Sequence, residues 1–182
     1  MERETEPKET TSEISAGDVG RFLDVAENLD ITVWVDGGWG VDALLGEQTR
    51  PHSDLDIVVQ EKDVAALRAA LARAGFQDVE TDDRTEWNFV LADDEGHRID
   101  FHVVVLDKDG RGIYGPVKRG VFYPASALQG TGSIAGRAVR CLTPEYQVQS
   151  HTGYTIDEDD IRDVMALHER FGVDPPPDYT EN

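Results

Sequence analysis

Residues 31–59 read Ile-Thr-Val-Trp-Val-Asp-Gly-Gly-Trp-Gly-Val-Asp-Ala-Leu-Leu-Gly-Glu-Gln-Thr-Arg-Pro-His-Ser-Asp-Leu-Asp-Ile-Val-Val. The β-branched and aromatic run Ile31 to Val35 ends at Gly37-Gly38, which predicts a strand running into a glycine turn. Trp39 to Leu45 predicts a short helix closed by Gly46. From Asp54 the chain alternates acid with apolar and then turns wholly apolar through Val59, the pattern of a second strand. Side chains alternate along a strand, so Asp54 and Asp56 project from one face. Two carboxylates held that close repel unless a cation lies between them. Hard oxygen donors of this kind suit Mg²⁺, which takes one or two protein carboxylates and completes its octahedron with water and phosphate oxygens.

Working outward, apolar Val19, Phe22, Leu23, Ala26 and Leu29 fall at helical spacing after Asp18. Asp63 to Ala74 repeats that spacing and ends at Gly75, predicting another helix. Strands are expected at 76–80 and 87–92. The turn Asp93-Asp94-Glu95-Gly96 joins the latter to a strand over Arg98 to Leu106, making a hairpin. After residue 107 the chain is glycine-rich and irregular, with short strands expected near 132–135 and 138–142. Thr143-Pro144-Glu145 reads as the capped start of a helix toward His151, and a last helix is expected from about Asp157 to Arg170. The expected organisation is a flexible lead-in over 1–16, one core over 17–142, a helical region over 143–174 packed on it, and a tail over 175–182. Strands and helices interleave, so the fold class is α/β (α+β), a mixed sheet flanked by helices.

Composition bounds the function. Lys and Arg number 17 against 37 Asp and Glu, a net charge of −20. That balance argues against duplex DNA as partner, since such binding needs basic residues gathered over a face. Cationic small molecules fit the charge, and so does an Asp-rich, Lys-poor surface suited to high salt, with 22 Asp and four Lys. The single Cys141 leaves no disulfide framework and reads as a buried structural thiol. No apolar run approaches the ~18 residues of a membrane span and no signal peptide is evident, so the expectation is a soluble cytoplasmic protein without membrane partners.

An Asp-x-Asp alone is also what two solvated acids at a strand end look like; the neighbouring residues turn it into a site. Gly37 and Gly38 let a polyphosphate approach backbone N–H groups at a helix start. Asp100 stands between Ile99 and Phe101, where a carboxylate has no structural purpose. Arg50 and His52 precede the acidic pair and are placed to steady phosphate oxygens. These parts describe metal-assisted nucleotidyl transfer, with phosphates on the glycines, two metals on the three carboxylates and a hydroxyl brought in line. His102 shares the face of Asp100 and is a second candidate base. Asp42 reads either as a helix cap or as a partner of Arg50. Trp39 and Trp87 read as packing residues, His151 and Tyr154 as structural. Glu86 and Glu145 are the remaining acids suited to a cationic acceptor.

The stretch from Trp34 to Ile57 resembles the first motif of the antibiotic nucleotidyltransferases, and is most similar to that of the small lincosamide nucleotidyltransferases. Gly96-His-Arg-Ile-Asp-Phe-His resembles their third-carboxylate strand. Gly136 to Glu145, with His151-Thr-Gly-Tyr154, resembles their C-terminal helical region. The resemblance spans about residues 18–170 and implies a polymerase-β-like nucleotidyltransferase fold. It implies that Gly37 and Gly38 hold the triphosphate, that Asp54 and Asp56 bind Mg²⁺, and that Asp100 is a metal ligand, general base, or both. The Gly-Gly-Trp turn departs from the more widespread Gly-Ser form, so no serine reaches the phosphates.

The implied activity is antibiotic resistance by Mg²⁺-dependent transfer of a nucleoside monophosphate, AMP from ATP, to a hydroxyl of a small molecule. A lincosamide leads and an aminoglycoside follows; a homodimer is also implied. Two further readings are a protein- or RNA-modifying nucleotidyltransferase of toxin or antitoxin type and a non-catalytic nucleotide-binding module.

Overall fold

The structure, a computed structural model, describes residues 12–180. Helix α1 (Ala16–Asn28) starts at Ser15, whose side chain accepts from the Asp18 N–H while the Asp18 carboxylate returns to the Ser15 backbone. Ile14, just before this capping box, is buried in the same cluster as Val19 and staples the helix entry. Its N–H donates to the His52 carbonyl at 2.8 Å. Ile14 and Ser15, within the lead-in expected over 1–16, thus join the helix start, the apolar residue completing the cap. Residues 1–11 of that lead-in lie outside the described residues.

Strand β1 is Val33–Asp36, α2 Gly37–Leu45, β2 Asp54–Gln60 and α3 Glu61–Arg73. The strand expected from Ile31 begins two residues later because the Ile31 N–H closes the end of α1 on the Ala26 carbonyl. Helix α2 begins at the glycines rather than at Trp39, since the Asp36 side chain caps it by accepting from the Gly37 N–H at 2.7 Å. Strands β3 (Gln77–Val79), β4 (Asn88–Ala92) and β5 (Arg98–Leu106) follow. The stretch read as irregular holds two short strands, β6 (Gly112–Tyr114) and β7 (Phe122–Tyr123). The chain then forms β8 (Gly130–Ile134), β9 (Arg137–Cys141), α4 (Pro144–Ser150) and α5 (Glu158–Phe171).

All nine strands of the described residues join one mixed sheet in the order β3-β4-β5-β2-β1-β9-β8, with β6 and β7 continuing from the end of β5. The pairs β2·β5 and β1·β9 are parallel and the others antiparallel.

Alternation along β2 separates the two faces. Leu55, Ile57 and Val59 enter the main core with Ile99, Phe101 and Val103 of β5, under Phe22 and Leu23 of α1 and Leu67 and Leu71 of α3. Each such side chain, fully buried, contributes roughly 1.5–3 kcal/mol. Cys141 is a free, buried thiol in that core, as expected. On the other face Val58 and Val104 sit with Trp34, Tyr123, Leu128 and Leu142 in a second cluster. That cluster covers only one end of the face, and the acidic positions of β2 and β5 hold the other.

Helix α2 bridges to the C-terminal helices, where Val41, Val148, Val164 and Leu167 form a third cluster. Part of the expected tail over 175–182 lies against these helices. Residues 177–179 make a 3-10 turn, Tyr179 packs against the third cluster, and its hydroxyl donates to the His151 carbonyl at 2.7 Å.

Candidate active site

Strand register assembles the site. In the antiparallel β1·β2 pair Asp36 lies opposite Asp56, and in the parallel β2·β5 pair Asp56 lies beside Asp100. Three carboxylates therefore form a row across three strands roughly 4.8 Å apart, and Asp54 adds a fourth on the same face. The expected trio of Asp54, Asp56 and Asp100 is brought together. Asp36 is an addition that sequence reasoning overlooked, although its place directly before the two glycines was a visible signal.

Crowding and burial set the electrostatics. Burial, then the charges of Asp56 and Asp54, pushes the Asp100 carboxyl up to about 7. Burial first, and Asp56 next, also raises Asp54. Asp36 is raised by burial and by Asp56 against the opposing pull of His102. Burial disfavours charge on His102, but its hydrogen bond to Asp56 and the charges of Asp56, Asp36 and Asp100 win and push it up to about 9. His102 Nε2 lies 3.3 Å from Asp56 Oδ1 and Nδ1 lies 3.5 Å from the Tyr114 hydroxyl, which donates to Asn88 Oδ1 at 3.0 Å. The imidazolium is thus the row's own counter-ion.

Asp100 Oδ1 is buried without a hydrogen-bond partner among the described residues. Orphaning a buried carboxylate oxygen is costly unless something else binds it. Hard oxygen donors from Asp54, Asp56 and Asp100 suit a divalent cation. As placed, no three His, Cys, Asp or Glu side chains of the described residues close on one point at metal-ligand distance. The donor chemistry fits a cation, and holding one would draw the carboxylates together.

The glycine turn faces this row. Gly37 has φ +57°, and a side chain there would collide with the Asp56 carboxylate. At Gly38 a methyl group would strike the His52 imidazole and lie 2.8 Å from Arg50 Nη2. Both glycines are needed for close approach, and the expected Arg50 and His52 stand directly against the second. Each is held from behind. Asp42 Oδ2 is 2.5 Å from His52 Nε2, and Asp42 Oδ1 accepts from the Thr49 N–H and hydroxyl at 3.1 and 2.6 Å. Of the two readings of Asp42 neither is complete: it orients His52 rather than Arg50. Arg50 donates from Nε and Nη2 to the Asp163 carboxylate at 3.2 and 2.8 Å.

Trp39 is buried against His52, ring centroids 4.8 Å apart, and Trp87 packs on the main core, so both are packing residues. His151 donates from Nδ1 to the Gln147 carbonyl at 2.6 Å, and the Tyr154 hydroxyl donates to Asp160 at 2.9 Å. Glu86 and Glu145 are not brought to the row. Glu86 is exposed in a cleft with Glu61, Trp87, Val103 and Val105, residues 103 and 105 of β5 pointing away from Asp100 and His102. Glu145 is exposed in the first turn of α4.

A row of acids faces a glycine-started helix across one end of a mixed sheet, an arrangement compatible with a nucleotidyltransferase. The fold agrees. The chain superposes on the lincomycin-bound lincosamide antibiotic adenylyltransferase LnuA with TM-score 0.74 at 27% identity, covering 86% of this chain and 98% of that one. It superposes on ANT(2")-Ia in complex with adenylyl-2"-tobramycin with TM-score 0.66 at 22% identity, covering 85% and 87%. The chain belongs to the aminoglycoside-2''-adenylyltransferase family, which matches residues 18–167. It is 29% identical to a lincosamide resistance protein of Staphylococcus haemolyticus over 80% of this chain and 89% of that protein. It is 31% identical to a 2''-aminoglycoside nucleotidyltransferase of Escherichia coli over 68% of this chain and 64% of that protein. The protein is accordingly an enzyme, a nucleotidyltransferase. No helix of the described residues is long and apolar enough to cross a membrane.

Proposed function

We propose that the enzyme transfers AMP from ATP to a hydroxyl of a small antibiotic of the lincosamide class, releasing pyrophosphate. The observation that carries the transfer chemistry is the register Asp36–Asp56–Asp100, with Asp54 beside it, across β1, β2 and β5. In this reading the triphosphate lies over Gly37 and Gly38, where no side chain intervenes, with an Arg50 N–H on its oxygens and the His52 ring beside them. Asp54, Asp56 and Asp100 would hold Mg²⁺, which would withdraw charge from the phosphate oxygens and acidify the attacking hydroxyl. Two such ions are the fuller form of the proposal.

The acceptor oxygen forms a bond to the α-phosphorus, the bond from that phosphorus to the bridging oxygen breaks, and pyrophosphate leaves. Asp100, through its other carboxylate oxygen, receives the hydroxyl proton. His102 is less suited to that task because both ring nitrogens have neighbours, Asp56 and Tyr114. It steadies Asp56 instead.

The lincosamide acceptor rests on likeness over nearly the whole length of LnuA and of the staphylococcal protein. An aminoglycoside is the second reading, favoured by the family matched and by a net charge of −20. Incubation with Mg²⁺, each nucleoside triphosphate and a panel of lincosamides, aminoglycosides, proteins and RNA ends tests it by mass. A lincosamide heavier by one nucleoside monophosphate is the expected product. Modification of aminoglycosides alone moves the assignment to the second reading, and bound triphosphate with no product anywhere makes the protein a binding module.

A further inference from the structure

We infer that Asp163, on the C-terminal helix α5, is a positioning residue for the triphosphate: it holds the Arg50 guanidinium against Gly38. The inference rests on the reading of the Gly37–Gly38 turn as the phosphate site. Asp163 is 2% exposed on a helix whose other acids, Glu158, Asp159, Asp160 and Glu169, are exposed or half-buried. A buried ion pair is poor value as mere attachment, because apolar residues of the same volume hold elements together as well or better. Attachment is already supplied by Val164 and Leu167 of α5 packing against Val41 of α2.

The pair does achieve geometry. Asp163 takes Nε and Nη2 together, the two-pronged contact that fixes the plane of a guanidinium. Nη1 is tied to the Pro51 carbonyl at 3.3 Å. Nη2 carries two protons and Asp163 needs one, so a donor is left on the atom nearest Gly38. Asp159 stands 3.6 Å from Nη1 and adds charge without a hydrogen bond. Beside Arg50, Asp42 holds the His52 imidazole, which also stands against Gly38. Two buried carboxylates therefore stand behind Arg50 and His52, and one is delivered from 113 residues away along the chain. The C-terminal helix is in this way part of the nucleotide site.

Titration calorimetry of the full chain with Mg²⁺ and a non-hydrolysable ATP analogue, together with thermal unfolding, tests this. Asp163→Asn is expected to weaken analogue binding by about 10-fold or more, the effect of losing a residue that orients a ligand-holding group. The KM for the acceptor is expected to stay unchanged. The double variant Arg50→Met, Asp163→Leu removes both charges and is expected to melt near the wild type while still binding the analogue as weakly. If binding returns with stability in the double variant, or if Asp163→Asn binds like the wild type, Asp163 is structural and the inference fails alone. A wild-type protein that binds no triphosphate overturns the reading of the turn and the inference with it.

Discussion

At the scale of single residues, four acids share one end of a sheet and do different work because their surroundings differ. Asp100 has a buried oxygen without a partner, whereas Asp56 is matched to His102 and Asp36 is spent on capping α2. Asp100→Asn is therefore expected to lower kcat by roughly 10²–10⁴-fold, the range of a lost general base. His102→Gln should cost about 10-fold or less. Single-turnover rates at saturating acceptor decide between them, and the opposite ranking moves the base to His102. Gly38→Ala is expected to cost about 1–3 kcal/mol of stability by overpacking against the His52 ring and to weaken triphosphate binding, both read by thermal unfolding with and without ATP. Unchanged ATP stabilisation in that variant would remove Gly38 from the site. Asp54, Asp56 and Asp100 were legible as residues because each is a carboxylate on a strand among apolar neighbours. Asp36 was legible only through its place directly before the two glycines, a mark that an ordinary turn residue shares. Asp163 left no local mark at all, lying among solvated acids and far from Arg50 in the chain.

At the scale of elements, alternation made β2 readable, the Asp93–Gly96 turn made β5 so, helical spacing marked α1 and α3, and the charges at its two ends marked α5. Strands β6 and β7 were missed because two or three glycine-flanked residues carry no period; they exist by pairing with the end of β5. Glu86 had no readable facing for a related reason: the chain between β3 and β4 leaves the sheet, so a side chain there cannot be counted along a strand. The β4–β5 hairpin bears on stability through His97. Asp93 accepts from the His97 N–H at 2.9 Å and from its Nδ1 at 2.8 Å, and Nε2 approaches Asp18 of the α1 cap at 3.9 Å.

The bond to Asp93 raises His97 above its ordinary value, against the opposing effect of burial. Burial works against Asp93 too, but its bonds to His97 hold it below the usual carboxylate range. The His97 contribution is whole below the ordinary histidine value of 6.5 and is lost as pH rises through the raised folded value. That of Asp93 is whole above 3.8 and is lost as pH falls through its lowered one. Between about pH 6 and 8 the melting temperature of the wild type should fall more steeply than that of His97→Gln. Parallel slopes would mean that the clamp between hairpin and α1 carries no pH-dependent stability.

At the scale of the whole molecule, the mixed sheet flanked by helices was legible from the interleaving of strand and helix patterns. The closing of α5 onto the α2–β2 loop was not, since only the completed fold joins Arg50 to Asp163. The charge of −20 belongs to this scale as well. Four of the acids form the row at the candidate site and two more, Asp42 and Asp163, stand behind it, while most of the others lie on the surface, where self-repulsion opposes the compact state. Salt shortens the reach of that repulsion from about 10 Å at 0.1 M to about 3 Å at 1 M. The melting temperature is therefore expected to rise as sodium chloride is increased over that range, and a fall would show that attractive pairs such as Arg137 with Asp24 and Glu27 outweigh it. The central claim is that these carboxylates transfer a nucleotide to a small hydroxylated acceptor. Its most direct test is the ratio of pyrophosphate released to acceptor adenylylated, measured with ATP, Mg²⁺ and a lincosamide for the wild type and for Asp56→Asn. One pyrophosphate is expected for each adduct in the wild type, and neither above background in a variant that still melts like it. Adduct formed at the wild-type rate by Asp56→Asn, or pyrophosphate released by the wild type without any adduct, would contradict it.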